Sequence, residues 1–198
     1  MQAALKLGIT EAEYLEGERH SEIRHEYLAG EVRAVAGESK THNTVSFRIR
    51  RLLDDKFSAR PCETFGEGIK ARIAAQTRYY YPDSVVTCDA RDVSTEYDEY
   101  NVRYPSLIVE VLSPTTEHID RGEKLAAYKT LPTLHAYLLV SQEEQRVELY
   151  RRGEGKLWLY QDFGPGELVE IPALEVALAV DDIYAGTRVG QVPEAAAE

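Results

Sequence analysis

The sequence predicts an α+β chain with an α/β-like core, on three observations. A strand, a helix and a second strand follow one another across residues 106–140, a strongly amphipathic helix precedes them at 40–57, and hairpin patterns flank the core at both ends. The unit 106–140 predicts two parallel strands joined by a right-handed crossover.

Taken in order, Thr10 and Glu13 form a T-x-x-E capping box that opens a short helix, with Tyr14 and Leu15 as its first apolar contacts. In 21–37, Ile23, His25 and Tyr27 alternate with Arg24, Glu26 and Leu28, and Ala29-Gly30 turns the chain toward Val32 and Val35, a β-hairpin. From Lys40 to Phe57 the period changes: Val45, Ile49, Leu52, Leu53 and Phe57 fall at helical spacing. Extended runs follow at 68–73 and 81–87, then an acidic, aperiodic stretch at 89–103 that reads as an exposed loop. Residues 106–112 (SLIVEVL) are almost continuously apolar, the pattern of a strand covered on both faces. A helix from about 117 to 130 ends at Pro132, and 135–140 forms the next buried strand. Residues 146–152 and 156–162 flank Gly153 and Gly155 as a second hairpin. The apolar run 174–180 leads into a short terminal helix at 181–184, and 194–198 (EAAAE) is expected to fray.

The 198 residues, 43% hydrophobic and 29% charged, form one expected domain with its core at about 8–185, which excludes a disordered or repetitive chain. A formal charge of −11 excludes a generically basic polyanion binder, so a nucleic-acid role needs a local patch. Cys62 and Cys88 sit in no metal spacing and are expected to be reduced thiols. No signal or membrane-length apolar run occurs, and a cytoplasmic location is expected.

Glu110 is the most informative residue. Its neighbours Leu107 to Leu112 predict a dry strand, where an ionised carboxylate costs several kcal/mol unless it is paired or bound to a cation. Asp83, after Pro82 at the head of 82–86, is by itself an ordinary turn residue. Two acidic residues from neighbouring strands can nevertheless share one hard divalent cation. Asp120 and Lys124 are four apart on the next helix, hence on one face. They form either a solvated pair or a lysine reaching back to the acidic cluster.

Pro82-Asp83, Glu110 in an apolar strand and a nearby lysine resemble the PD-(D/E)XK nuclease superfamily. His25 to Glu31 (HEYLAGE), His42 opening a helix, Glu110 to Thr116 (EVLSPTT) and Asp120 to Lys124 (DRGEK) resemble, more narrowly, a bacterial restriction-endonuclease family long carried as a domain of unknown function. The resemblance covers residues 8–185. It implies a restriction-endonuclease-like mixed sheet flanked by helices, Mg²⁺- or Mn²⁺-dependent phosphodiester hydrolysis, and a homodimer. Asp83, Glu110 and the carbonyl of Val111 would hold the metal, and Glu26 would orient a water or second cation, with Glu31 the competing choice. The superfamily's lysine two residues after the acid is here Leu112, so Lys124 would serve from the following helix. The plain role for His42 is to cap or dock its helix.

Between Lys40 and Arg78 stand nine Lys/Arg against four Asp/Glu, and Arg48, Arg51, Lys70 and Arg72 are the candidates for phosphate contacts. Two readings remain: a nuclease, with DNA the expected substrate over RNA, or a non-catalytic dimeric module binding nucleic acid or protein. A two-carboxylate glycosidase fits less well, because Glu110 lies in an apolar strand rather than an open cleft.

Overall fold

A computed structural model describes residues 6–94 and 98–190. Strand β1 (Lys6–Leu7) leads into α1 (Glu11–His20), which is opened by the expected box: Glu13 N donates to Thr10 Oγ1 and Thr10 N to Glu13 Oε2. The first hairpin is β2 (His25–Leu28) with β3 (Glu31–Ala34), and Gly30 at φ +106° takes its turn. Helix α2 spans Lys40–Phe57, as its periodicity predicts. Its cap is Ser39, which accepts from His42 N. Four strands follow: β4 (Glu63–Gly66), β5 (Lys70–Ile73), β6 (Arg78–Tyr80) and β7 (Ser84–Thr87).

The stretch 89–103, expected to be loop, contains α3 (Ala90–Val93) and β8 (Asn101–Val102). Asp92 organises it through acceptor bonds from Arg103 N and Tyr104 N, a constraint that periodicity does not reveal. Next come β9 (Leu107–Leu112), α4 (Glu117–Ile119) and α5 (Leu125–Tyr128). Between the two helices, Asp120–Lys124 form a π-helical turn in which Leu125 N donates to Asp120 O. The expected helix is therefore present but widened at its centre. The chain closes with β10 (Ala136–Ser141), β11 (Val147–Arg152), β12 (Trp158–Phe163), β13 (Leu168–Ile171), β14 (Val176–Ala179) and α6 (Val180–Tyr184). The expectation for 194–198 lies outside the described residues.

The strands form two six-stranded sheets, ordered β1-β3-β2-β6-β5-β8 and β12-β11-β10-β9-β7-β4, plus the β13–β14 ladder. In the second sheet β9 and β10 are parallel, as the strand–helix–strand unit requires, and the other pairs are antiparallel. One face of that sheet, including Val109, Val111 and Leu138, packs on Val45, Ile49, Leu53 and Phe57 of α2. The other face, including Val85, Ile108 and Leu139, packs on Leu28, Ala71 and Tyr80 of the first sheet and on Tyr128 of α5. The outer side of the first sheet meets α1 through Tyr14, Tyr27 and Tyr79. The layers therefore run α2, second sheet, first sheet, α1.

The expectation of two reduced thiols is corrected: Cys62 and Cys88 form a disulfide. The β4–β7 ladder pairs Glu63 with Thr87, so continuing it by one residue puts Cys62 opposite Cys88. The pairing is a matter of register, invisible in a spacing of 26 residues.

Candidate active site

Strand alternation turns Glu110 to the same face as Ile108 and Leu112, between the two sheets. In the β7–β9 ladder Ser84 opposes Val109 and Val85 opposes Ile108, so Asp83 stands opposite Glu110 on that same face. Glu26 alternates with Tyr27 on β2; Tyr27 faces α1, so Glu26 points inward from the first sheet. The helical segment covering this face adds Asp120 and Lys124. Four segments thus deliver four carboxylates and one ammonium to a cleft of about 350 Å³.

Lys124 is the hub. Its Nζ lies 3.1 Å from Glu110 Oε1, 3.1 Å from Asp120 Oδ1 and 3.4 Å from Glu26 Oε1. Burial works against its charge, but the carboxylates of Glu110, Glu26 and Asp120 outweigh it and hold the amine protonated well above its usual range. Glu110 Oε1 also accepts from Tyr128 Oη at 2.9 Å. Burial pushes the Glu110 carboxyl well above the carboxylate range, opposed by Lys124. Asp83 Oδ2 accepts from Val111 N at 2.6 Å. Burial raises this carboxyl to about 6, against the lowering pull of His42, the Val111 amide and Lys124.

Beside Asp83, His42 Nε2 is 2.9 Å from the Val111 carbonyl and 3.5 Å from Asp83 Oδ2, while Nδ1 lies 3.4 Å from Glu38 Oε2. Donor atoms of Glu38, His42 and Asp83 all fall within 4.8 Å of one another. His42 does dock its helix on β9, and by doing so it also enters the cleft. Leu112 packs into the core on the face of Glu110, where the superfamily's lysine would stand. Lys124 reaches the same carboxylate from the helix lying over that face.

A family model described as "Putative restriction endonuclease" (Uma2) matches residues 11–181. The chain belongs to the Uma2 family. Among its relatives are two proteins of Synechocystis sp. (strain ATCC 27184 / PCC 6803 / Kazusa), both described as uncharacterized. The first, slr1290, is 37% identical over 175 residues, 88% of this chain and 90% of that protein. The second, sll1609, is 36% identical over 163 residues, 82% of this chain and 91% of that protein. A crystal structure of a putative nuclease belonging to DUF820, from Anabaena variabilis ATCC 29413, shares the fold with a TM-score of 0.72 at 20% identity, covering 89% of this chain and 97% of that one.

Against the other candidates, this Uma2 chain is selective. Glu31 stands apart from the hub, paired with Arg33, whose Nη1 also reaches Glu123 Oε2 at 3.2 Å. The basic residues of α2 and those on the outward face of 68–73 are not brought onto one surface, because α2 and the outward face of β5 lie on opposite sides of the two sheets. Arg51 is exposed on α2, and Arg48 is half-buried with its guanidinium against Gly186, where a Cβ would meet Nη2 at 2.7 Å. Arg72 Nη2 is paired with Glu11 Oε1 at 2.9 Å, and Lys70 is buried. Glu38 and Tyr128 escaped the sequence reading. Glu38 sits in a loop without periodicity, and the 18-residue separation of Tyr128 from Glu110 closes only when α5 folds over β9.

Proposed function

We propose that this chain is a divalent-cation-dependent nuclease that hydrolyses phosphodiester bonds in DNA. The observation that carries the reading is Lys124 Nζ at 3.1 Å from Glu110, an ammonium in the cleft despite Leu112. The oxygen donors around Asp83 suit a hard cation: carboxylates of Asp83 and Glu38 and the carbonyl of Val111. The imidazole of His42, a softer donor that Mn²⁺ accepts more readily than Mg²⁺, stands beside them, its buried Nδ1 without a hydrogen bond among the described residues. In this reading Asp83, Val111 and His42 hold Mg²⁺ or Mn²⁺, with Glu110 beside them. A bound cation would supply Lewis acidity at a phosphate oxygen and acidify water.

The chain's own groups do the rest. Lys124, held protonated, places fixed positive charge where the phosphate gains negative charge in the transition state. It acts as a charge and not as the base, because three carboxylates stabilise its proton. Glu26 and Glu110 fix the Nζ position and orient the attacking water. Tyr128 keeps one oxygen of Glu110 turned toward the amine. A homodimer acting in the cytoplasm completes the proposal. Exposed Leu157, Leu159 and Tyr160 at the edge strand β12 support self-association.

The test is incubation of the purified protein with single- and double-stranded DNA and RNA, with Mg²⁺, with Mn²⁺ and with chelator. Cation-dependent cleavage of DNA, lost in Asp83→Ala and Glu110→Ala, is the expected result. Absence of cleavage of every substrate under every cation overturns the reading in favour of a non-catalytic module.

A further inference from the structure

A second cavity, of about 600 Å³, opens on the α1 side of the first sheet, lined by Glu18, Lys70, Asp98, Tyr100, Asn101 and Arg103 among others. Lys70 is 6% exposed, yet among the described residues it has no carboxylate partner. Its Nζ meets Tyr81 Oη at 3.5 Å, with the Tyr81 and Tyr100 ring centroids at 5.3 and 5.9 Å. Of the acids lining the cavity, Glu18 and Asp98 are committed elsewhere, and Glu99 forms no ion pair with Lys70. Glu18 Oε1 accepts from His25 N and Tyr81 Oη, and its Oε2 faces His25 Nδ1 at 3.0 Å. Asp98 accepts from Asn101 Nδ2, Arg103 Nη2 and Tyr100 N.

Asn101 is 7% exposed, and its buried Oδ1 has no hydrogen-bond partner among the described residues. Tyr100, 51% exposed, offers a free aromatic surface at the same place. Among the described residues the cavity therefore presents a cation without a paired anion, an acceptor without a donor, and a ring without a stacked aromatic partner. A buried charge without a counter-ion is unfavourable, so a ligand that supplies one gains twice, by pairing and by relieving the burial. A nucleotide carries all three complements: an anionic phosphate, N–H or O–H donors, and a flat base. Tyr81 joins this cavity to the carboxylate cleft, since it lines the cleft while its hydroxyl contacts Lys70.

We propose that this cavity binds a nucleotide unit, phosphate on Lys70 and base against Tyr100, as a subsite for the strand whose phosphodiester is cut in the carboxylate cleft. The strand clause rests on the nuclease reading; the nucleotide chemistry does not. The test measures binding by the full chain in chelator, so that no cleavage occurs, with three probes: a short fluorescent single-stranded oligodeoxynucleotide, adenosine 5′-monophosphate and inorganic phosphate. Lys70→Gln and Tyr100→Ala are each expected to weaken the oligonucleotide about tenfold, a typical stacking or charge-assisted contribution. Lys70→Gln should also reduce the slope of log affinity against log salt by about 0.7, one phosphate contact on a single strand, while Lys70→Arg keeps it.

Lys70-dependent binding of the mononucleotide alone, without the strand, would support the cavity as a free-nucleotide site and overturn the strand subsite. Binding of inorganic phosphate through Lys70 with no contribution from Tyr100 would overturn the base contact. Equal binding of every probe by Lys70→Gln and the unaltered protein, or no binding at all, overturns the proposal. Cation-dependent cleavage in that case would leave the nuclease reading intact.

Discussion

Two lysines in this molecule are buried alike and behave oppositely. Lys124 is 8% exposed and Lys70 6%. Lys124 is held by three carboxylates, and its amine is driven to bind its proton more tightly. Lys70 faces two tyrosine rings, and desolvation lowers its amine below the ordinary range despite the pull of Glu18 and Asp98. Burial alone thus does not decide the behaviour of a charge; what decides it is whether the nearby carboxylates are free or already spent on other donors. Lys124 is enclosed by carboxylates and electrostatically fixed, whereas Lys70 keeps its valence open.

The comparison breaks most sharply at Lys124. Lys124→Met leaves Glu110, Asp120 and Glu26 facing one another, which should cost about 3–5 kcal/mol. For a chain of this size that lowers Tm by roughly 10 °C, read by calorimetry. Cleavage by the same variant should fall by about 10²–10³-fold in kcat. A Tm unchanged within 2 °C by about the same scaling would show that the hub carries no net stabilisation.

Next in size is the cation and its pH dependence. With Mn²⁺ in excess at about 100 times Kd, stability should rise by about 2.7 kcal/mol. The rise should vanish in Asp83→Ala. Asp83 must be ionised to hold a cation and titrates at about 6, so protons compete below that value. Affinity should then weaken about tenfold for each pH unit below 6. In chelator the sign reverses. The folded-state value lies above the ordinary 3.8, so ionising Asp83 costs stability from pH 3.8 upward, in full above 6, and the cation-free protein gains stability as pH falls through this window. Thermal melts from pH 4 to 8, with and without Mn²⁺, separate the two.

At Lys70 the expected stability effect is small and of opposite sign. Lys70→Met removes a desolvated charge that has no ion-pair partner among the described residues, so Tm should hold or rise slightly, whereas Lys124→Met lowers it. A fall comparable to that of Lys124→Met would mean that Lys70 is paired after all. A modest effect is expected in the helix beside the same cavity: Thr10→Ala removes the cap of α1, the helix carrying Glu18, at a cost of about 1 kcal/mol. Because α1 supports the nucleotide cavity and not the carboxylate cleft, cleavage of a minimal substrate should change less than Tm does.

Much of this arrangement could be read from residues alone. Helix α2 ends where its apolar period ends, and the run 107–112 announces a strand covered on both faces. A glutamate inside that run signals a partner before any partner is known. The hairpins at 25–34 and 147–163 follow from alternation around Gly30 and Gly153. Other elements carried no such mark. Strands β4, β6 and β13 are three or four residues long, too short for a period to show. The π-turn 120–124 keeps the four-residue spacing of Asp120 and Lys124 and differs only in its backbone bonds.

The sequence by itself determined the local periods, the capping of α1, the buried position of Glu110 and the presence of a lysine four residues from Asp120. Those depend on neighbours along the chain, where the physics is short-ranged. The tertiary structure alone decided which charges meet. It set the ladder that faces Cys62 with Cys88, brought His42 and Glu38 to Asp83, and gave one buried lysine three carboxylates and the other none in ion-pair contact among the described residues. Such choices depend on register and layer order, and electrostatic energies depend on distances through space that separation along the chain does not encode.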